Sequence, residues 1–314
     1  MELICKMDFF ISEPTAVSIG KFDGEHRGHR KIMETMKRVA AEQNLRTAVF
    51  TFQKPPMEIL SGKTNLLITT DREKLRKFTE AGIDYVVEYP FTEQTAGMEA
   101  EDFVKNILIG QMNMKAVVAG TDCAFGRGRS GNAEVLTELG RKYGFTAVII
   151  GKEKDSGRDI SSSFIREELS KGNIEKANAL LGECYSLEGT VISGNQIGKK
   201  ILGYPTINIL PPEGVFLPRQ GVYRTKVRFL DKNGNESERV FQGITNIGKN
   251  PSVEKDVLCH QIRIETFLTD FSEDLYGGNV RISFLGFIRP EMKFSSMEEL
   301  KKQIAKDLET IGRK

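Results

Sequence analysis

The chain of 314 residues predicts an α/β half followed by a small antiparallel β half. Three features carry this. The length exceeds what a single core usually organises and points to two domains. Up to residue 183, short β-branched runs alternate with amphipathic helical patterns, as a parallel sheet with crossover helices requires. Beyond Gly182 the texture changes to strand runs bounded by turn residues, which suggests a small barrel or sandwich.

The first half reads in order as the runs AVSIG (ending at Gly20), RTAVFTF (46–52), DYVVEY (84–89), KAVVAG (115–120) and FTAVII (145–150). The first helix follows AVSIG, with Ile32, Met33, Met36, Val39 and Ala40 at helical spacing on one face. Two more helices, SSSFIREELSKG and NIEKANALLG, each open on a polar residue able to cap and close near a glycine. The second half reads as SLEGTVI, YPTINIL, GVYRTKVRFL, ERVFQGITNI, VLCHQIRIETFL and NVRISFLGFI, with DKNGN (231–235) a hairpin signal. A final helix near 295–311 repeats Met297, Leu300, Ile304 and Leu308. The change of texture divides the chain into domains 1–182 and 183–314.

Composition narrows the function. With 45 basic against 43 acidic residues the net charge is +2, and no long basic run interleaves with aromatics, which argues against a nucleic-acid or membrane partner. Cys5, Cys123, Cys184 and Cys259 lie far apart without a CxxC pair, so they read as free thiols of a reducing compartment. The N-terminus has no long apolar core and no stretch reaches membrane-spanning length, so a cytoplasmic protein is expected.

The stretch GKFDGEHRGH (20–29) holds two of the three histidines in the chain, between a predicted strand and a predicted helix. There, unpaired backbone N–H groups and the positive end of the helix dipole favour an anion. Gly20, Gly24 and Gly28 let the turn run close to a ligand, and His26 and His29 add donors to a phosphate. A pair of turn histidines, one capping the helix and one exposed, accounts for the same residues. Zinc fits less well, because no third histidine or cysteine lies near in sequence. GRGRSG (126–131) matches GxGxxG only formally, since five residues separate it from the preceding run. GNQIGKK (194–200) has three residues rather than four between its glycines, and Lys200 where a P-loop carries Ser or Thr.

GKFDGEHRGH resembles the GxFDGxHxGH signature of the HxGH nucleotidyltransferases, and in particular of the bifunctional riboflavin kinase/FAD synthetases. Further stretches resemble that family in the same order: FTFQKPP, AGTDCAFGRGRSG, ISSSFIR, GYPTIN, GVY, NIGKNPSV and ETFLTDFSEDLYG. The resemblance implies a Rossmann-like N-terminal domain that adenylylates FMN to FAD, releasing pyrophosphate. It also implies a C-terminal β-barrel riboflavin kinase with a terminal helix. ATP is the co-substrate, Mg2+ the cofactor, riboflavin, FMN and FAD the flavins, and the protein a monomer or weak homo-oligomer.

Residue by residue, the resemblance puts His26, His29 and Arg166 on the ATP phosphates, with Gly20, Phe22, Asp23, Gly24, Gly28, Ser162 and Ser163 around them. Phe52, Pro56, Asp122 and Phe125 fall at flavin positions of the first domain and Asn246 at one of the second. Glu265 matches the glutamate that takes the proton of the ribityl 5′-hydroxyl. Thr206 and Asn208 match the ATP and magnesium ligands, and Gly194, Gly198 and Gly203 a flap over the nucleotide. Taken alone, Ser161–Ser163 read as an N-cap and Glu265 as a solvent-facing strand residue beside Arg263. Ile207, Ser163 and Cys123 depart from the family's usual alanine, threonine and aromatic residue. Ile207 is expected on the opposite strand face from Thr206 and Asn208, and Cys123 is expected to loosen an apolar wall. Two other readings stay open: one activity retained without the other, or a flavin-binding regulatory protein without turnover.

Overall fold

A computed structural model of the chain describes residues 1–54, 59, 62, 66–192, 206–232, 234–249, 262–269, 271 and 277–311. It divides into two compact units, Met1–Ser162 and Ser163–Lys314.

The first unit is a three-layer α/β structure. Its strands are β1 (Glu2–Ile4), β2 (Thr15–Ile19), β3 (Arg46–Phe52), β4 (Tyr85–Tyr89), β5 (Met114–Gly120) and β6 (Thr146–Ile150), all parallel in the order β1-β4-β3-β2-β5-β6. The five apolar runs of the sequence are β2 to β6. They are apolar on both faces because both faces are covered. Val17, Phe50, Val87 and Val117 join one core and Ala16, Val49, Val86 and Val118 the other. Helix α1 (Arg27–Gln43) buries Met33, Met36, Val39 and Ala40 in the second core, with Ile32 partly buried against it. Helix α2 (Asp71–Glu80) starts at Thr70, whose side chain accepts the Glu73 N–H. Between β4 and β5 the helical segment is π-wound over Phe103–Gln111, and α3 (Ala133–Tyr143) precedes β6.

The strand order reverses at β2. The chain runs outward through β3 and β4 on one side of it, and continues with β5 and β6 on the other. The loops leaving β2 and β5 therefore diverge at the carboxyl ends of adjacent strands, which is where ligands settle in open α/β sheets. GKFDGEHRGH leaves β2 at that point.

Helix α4 (Ser162–Lys171) starts on the last residue of the first unit and continues as the opening of the second, where α5 (Ile174–Leu181) follows. These helices attach to the β part: Asn178 Nδ2 donates to Phe284 O at 2.9 Å, and the Arg219 N–H donates to Leu169 O at 2.9 Å. The strands are β9 (Ser186–Thr190), β10 (Thr206–Ile209), β11 (Gly221–Leu230), β12 (Glu236–Lys249), β13 (Ile262–Leu268) and β14 (Asn279–Arg289), the small hairpin β7 (Lys154–Asp155) and β8 (Arg158–Asp159) belonging to the first unit. They form one antiparallel sheet in the order β10-β13-β12-β11-β14-β9. The sheet curls until its ends meet: the Ile192 N–H donates to Asn208 O at 2.8 Å, and Gly189 lies against Ile209. Asp231 and Asn235 close the β11–β12 hairpin, Asn235 N–H donating to Asp231 Oδ1 at 2.8 Å. The terminal helix α6 (Met297–Leu308) is capped by Ser296 and buries Ile304; Met297, expected on the inward stripe, is 50% exposed because it occupies the first turn.

Candidate active sites

The first site is built at the β2–α1 junction. His26 occupies the N-cap of α1 with extended backbone, but it makes no capping hydrogen bond, and the first turn carries no acidic residue. The His26 side chain thus leaves the leading N–H groups of this helix of 17 residues uncapped, at the helix end that favours an anion. The alternative in which one histidine caps the helix does not occur. The two imidazoles stack instead, with ring centroids 3.8 Å apart and planes 16° from parallel. Gly28 makes this possible, since a Cβ there would come within 3.2 Å of the His26 ring. The Phe22 ring, 1% exposed, braces His29 from the other side at 5.2 Å and meets Phe78 edge-on.

Burial sets the charge state of the pair. It lowers the His26 pKa to about 4, against a small opposing pull from Asp122, and holds His29 well below the usual range with help from His26 itself. Both rings are neutral near pH 7, and neither Nδ1 has a hydrogen-bond partner among the described residues. Each presents one N–H donor without a buried charge.

The turn before them is strained and tied down. Phe22, Gly24 and Glu25 take positive φ of 50°, 79° and 39°. Asp23 Oδ1 accepts the Ile68 N–H at 2.7 Å, and Ser162 Oγ donates to Asp23 O at 2.8 Å. Ser162 begins α4; Arg166 follows one turn later on the same helix face, half-buried, and Ser163 is exposed. Across the crevice, after β5, Asp122 is exposed and paired with Lys152 at 3.3 Å.

The expected flavin positions divide. Phe52 ends β3, half-buried, with its ring against Phe91. Phe125 is 7% exposed and packs on Phe103, so its ring belongs to the core. Pro56 lies outside the described residues. Cys123 packs half-buried on the core, and burial pushes its thiol up to about 11, so it stays protonated.

The second site is a row across three strands. Asn208 on β10 lies directly opposite Glu265 on β13, and Glu265 directly opposite Asn246 on β12. Such neighbours have Cβ atoms about 5 Å apart on one face. Thr206 lies two residues along the same face of β10, while Ile207, 2% exposed, turns to the other face opposite Thr266. Behind the row, the hydroxyls of Thr225, Thr245 and Thr266 hydrogen-bond in a buried chain. Burial raises the Glu265 pKa, and Arg263 offsets only part of that rise. Thr206 and Asn208 each offer a side-chain oxygen, a pair that suits magnesium held jointly with phosphates. Gly194, Gly198 and Gly203 lie outside the described residues.

Three residues that the sequence did not single out lie against the candidate sites. Ile68 and Thr69 hold the histidine turn through the Ile68 N–H and through Thr69 Oγ1, which accepts the Gly24 N–H at 3.4 Å. Glu291 has its carboxylate where a Cβ at Gly248 would stand, beside Asn246. Gly248 within a strand was the one local signal for it.

An uncapped helix N-terminus with neutral imidazole donors, and a desolvated carboxylate between two amides, are arrangements suited to phosphate binding and to proton acceptance, the two tasks of group-transfer chemistry on phosphates. Residues 10–164 match the FAD synthetase family and residues 181–313 the Riboflavin kinase family. A relative from Buchnera aphidicola subsp. Schizaphis graminum, named a bifunctional riboflavin kinase/FMN adenylyltransferase, is 37% identical over 96% of this chain and 94% of its own. The Escherichia coli K12 protein of that name is 34% identical over 94% of this chain and 91% of its own. A crystal structure titled as a macrolide-efflux protein from Streptococcus pneumoniae is 28% identical and superposes with a TM-score of 0.85 over 98% of each chain. Among the described residues no helix is long and apolar enough to cross a membrane. The chain belongs to the bifunctional riboflavin kinase/FMN adenylyltransferase family.

Proposed function

We infer that the chain converts riboflavin to FMN in its second unit and FMN to FAD in its first, consuming ATP in each step. The observation that carries the kinase half is the register that sets Glu265 between Asn208 and Asn246 on one strand face. A neutral alcohol must lose its proton as it attacks. Glu265 takes the proton of the ribityl 5′-hydroxyl, the oxygen bonds to the γ-phosphorus, and the bond to the β-phosphate oxygen breaks to release ADP. Partial desolvation makes Glu265 a better proton acceptor than an exposed carboxylate. Thr206 and Asn208 would hold Mg2+ with the nucleotide, and the ion supplies charge neutralisation on the phosphates when bound. Asn246 orients the flavin.

Adenylyl transfer needs no base, because the FMN phosphate is already ionised. Its oxygen attacks the α-phosphorus of ATP and pyrophosphate leaves. His26 and His29 donate to the phosphates above the open N-terminus of α1, and Gly20 and Gly28 allow the backbone to approach. Ser163 and Arg166 hold the triphosphate from α4, and Phe52 and Asp122 border the flavin. We place the functional boundary at Gly182, between α5 and β9, and the protein in the cytoplasm.

The test is chromatography of products from the purified chain given riboflavin, ATP and Mg2+, with a parallel reaction given FMN. FMN followed by FAD in the first and FAD in the second are expected. FMN left untouched in the second would remove the adenylyl assignment, and riboflavin left untouched in the first would remove the kinase assignment.

A further inference from the structure

We propose that Asp23 is a positioning residue for adenylyl transfer: it locks the strained histidine turn onto the 68–69 segment and the start of α4, and does not itself contact ATP. The inference rests on the reading that His26 and His29 bind ATP phosphates.

The turn cannot hold its shape unaided. Phe22 and Glu25 are non-glycine residues with φ of 50° and 39°, a strained conformation that persists only where the surroundings over-determine it. Asp23 stands between them, 7% exposed, and both its side chain and its main chain are engaged. Oδ1 accepts the Ile68 N–H at 2.7 Å and the carbonyl accepts Ser162 Oγ–H at 2.8 Å. Gly24 completes the contact. Its φ is +79°, and a Cβ there would come within 2.9 Å of Ile68 Cδ1, so the turn presses directly on the segment that Asp23 grips.

The far end of the lock is firm. Ile68 is 1% exposed, and two residues later Thr70 caps α2. Phe78 of α2 meets the Phe22 ring at 5.6 Å, so the turn and α2 share a second contact. The direction of the Asp23 carboxylate also decides between roles. A carboxylate facing a triphosphate repels it, whereas one facing a backbone amide serves as an acceptor. One oxygen of the Asp23 carboxylate serves as an acceptor for the Ile68 N–H, and asparagine supplies an acceptor of the same shape for that bond.

Asp23→Ala and Asp23→Asn are compared in the full-length chain, with FAD formation from supplied FMN and FMN formation from riboflavin measured on each preparation. Asp23→Ala is expected to lower kcat for FAD formation by roughly 10- to 100-fold, the scale of a misplacement near 1 Å, with KM for FMN and the riboflavin kinase rate unchanged. Asp23→Asn is expected to recover most of that loss. Equal damage in both variants would overturn the proposal, because it would show that the negative charge itself is required, as for a metal or substrate contact. Full activity in Asp23→Ala would overturn it as well. Circular dichroism of Asp23→Ala monitors the fold, and if that variant does not fold the Asp23→Asn rate decides. His29→Ala is measured in parallel: undiminished FAD synthesis there would refute the phosphate reading and not the lock.

Discussion

Glu265 shows how a strand position becomes a reagent. Its cross-strand neighbours Asn208 and Asn246 are amides, Arg263 is the charge that acts on it, and burial raises its pKa above the usual carboxylate value. A base must be ionised to accept a proton, so kcat for riboflavin phosphorylation is expected to fall on the acid side through a pKa higher than that of an exposed glutamate. A pH–rate profile between about 5 and 8 checks this. The same shift bears on stability. A carboxyl whose pKa is higher folded than unfolded stabilises the fold fully below its unfolded pKa, and that contribution is lost as pH rises through the folded value. Glu265→Gln is therefore expected to raise Tm at neutral pH, with the gain vanishing in acid, while FMN formation drops by roughly two to four powers of ten. The histidines shift the other way. With His26 near 4 and His29 also low, FAD formation should show no acid limb from either imidazole between about pH 8 and 5. The stability they lend is present above pH 6.5 and declines as pH falls from there towards 4, where the unfolded chain binds protons that the folded chain refuses.

At the scale of elements, the spacing of HxGH has a steric cause. His26 is the N-cap and His29 the third helical residue of α1, and the absence of a side chain at Gly28 leaves the His26 ring room to stack on His29. Gly28→Ala sets a methyl within 3.2 Å of the His26 ring without forcing an unusual φ. FAD formation is expected to fall severalfold or more while riboflavin phosphorylation holds, which paired assays on one preparation would reveal. The elements themselves were largely legible. Strands β2 to β5 appear as apolar runs because both faces are buried, β6 because it packs partly buried against both cores, and the β half shows its turn residues. Strand β1 was not, because only Ile4 of its three residues is buried and an edge strand needs no apolar pattern. The glycines of 126–131, only a formal match to a dinucleotide turn, have a packing role instead. They close a loop in which Phe125 and Gly131 pair, and a Cβ at 131 would fall on the Phe125 ring.

For the whole molecule, the two halves of the chemistry are carried by different parts of one chain. A mixture of a Glu265→Ala variant with a His29→Ala variant is thus expected to make FAD from riboflavin although neither does so alone, provided that FMN leaves one molecule and enters another; a time course of all three flavins reads this directly. The order of motifs along the sequence disclosed both activities. What it did not disclose was register. Alternation assigns Asn208, Glu265 and Asn246 to strand faces, but only pairing brings them opposite one another, and pairing is fixed by the closing of the sheet. The reversal of strand order at β2 has a further consequence, for the birth of the protein. Residues 15–18 pair with residues 114–118, and the turn between β2 and α1 is fastened by Ser162, so the first site draws on parts that emerge from the ribosome far apart in time. Contacts of such long sequence separation form late, after local helices and neighbouring strands. A nascent chain that ends before residue 162 has the histidines and the Ile68–Thr69 segment but lacks the hydroxyl that fastens Asp23 from α4, so the histidine turn is complete only when the whole first unit has been made.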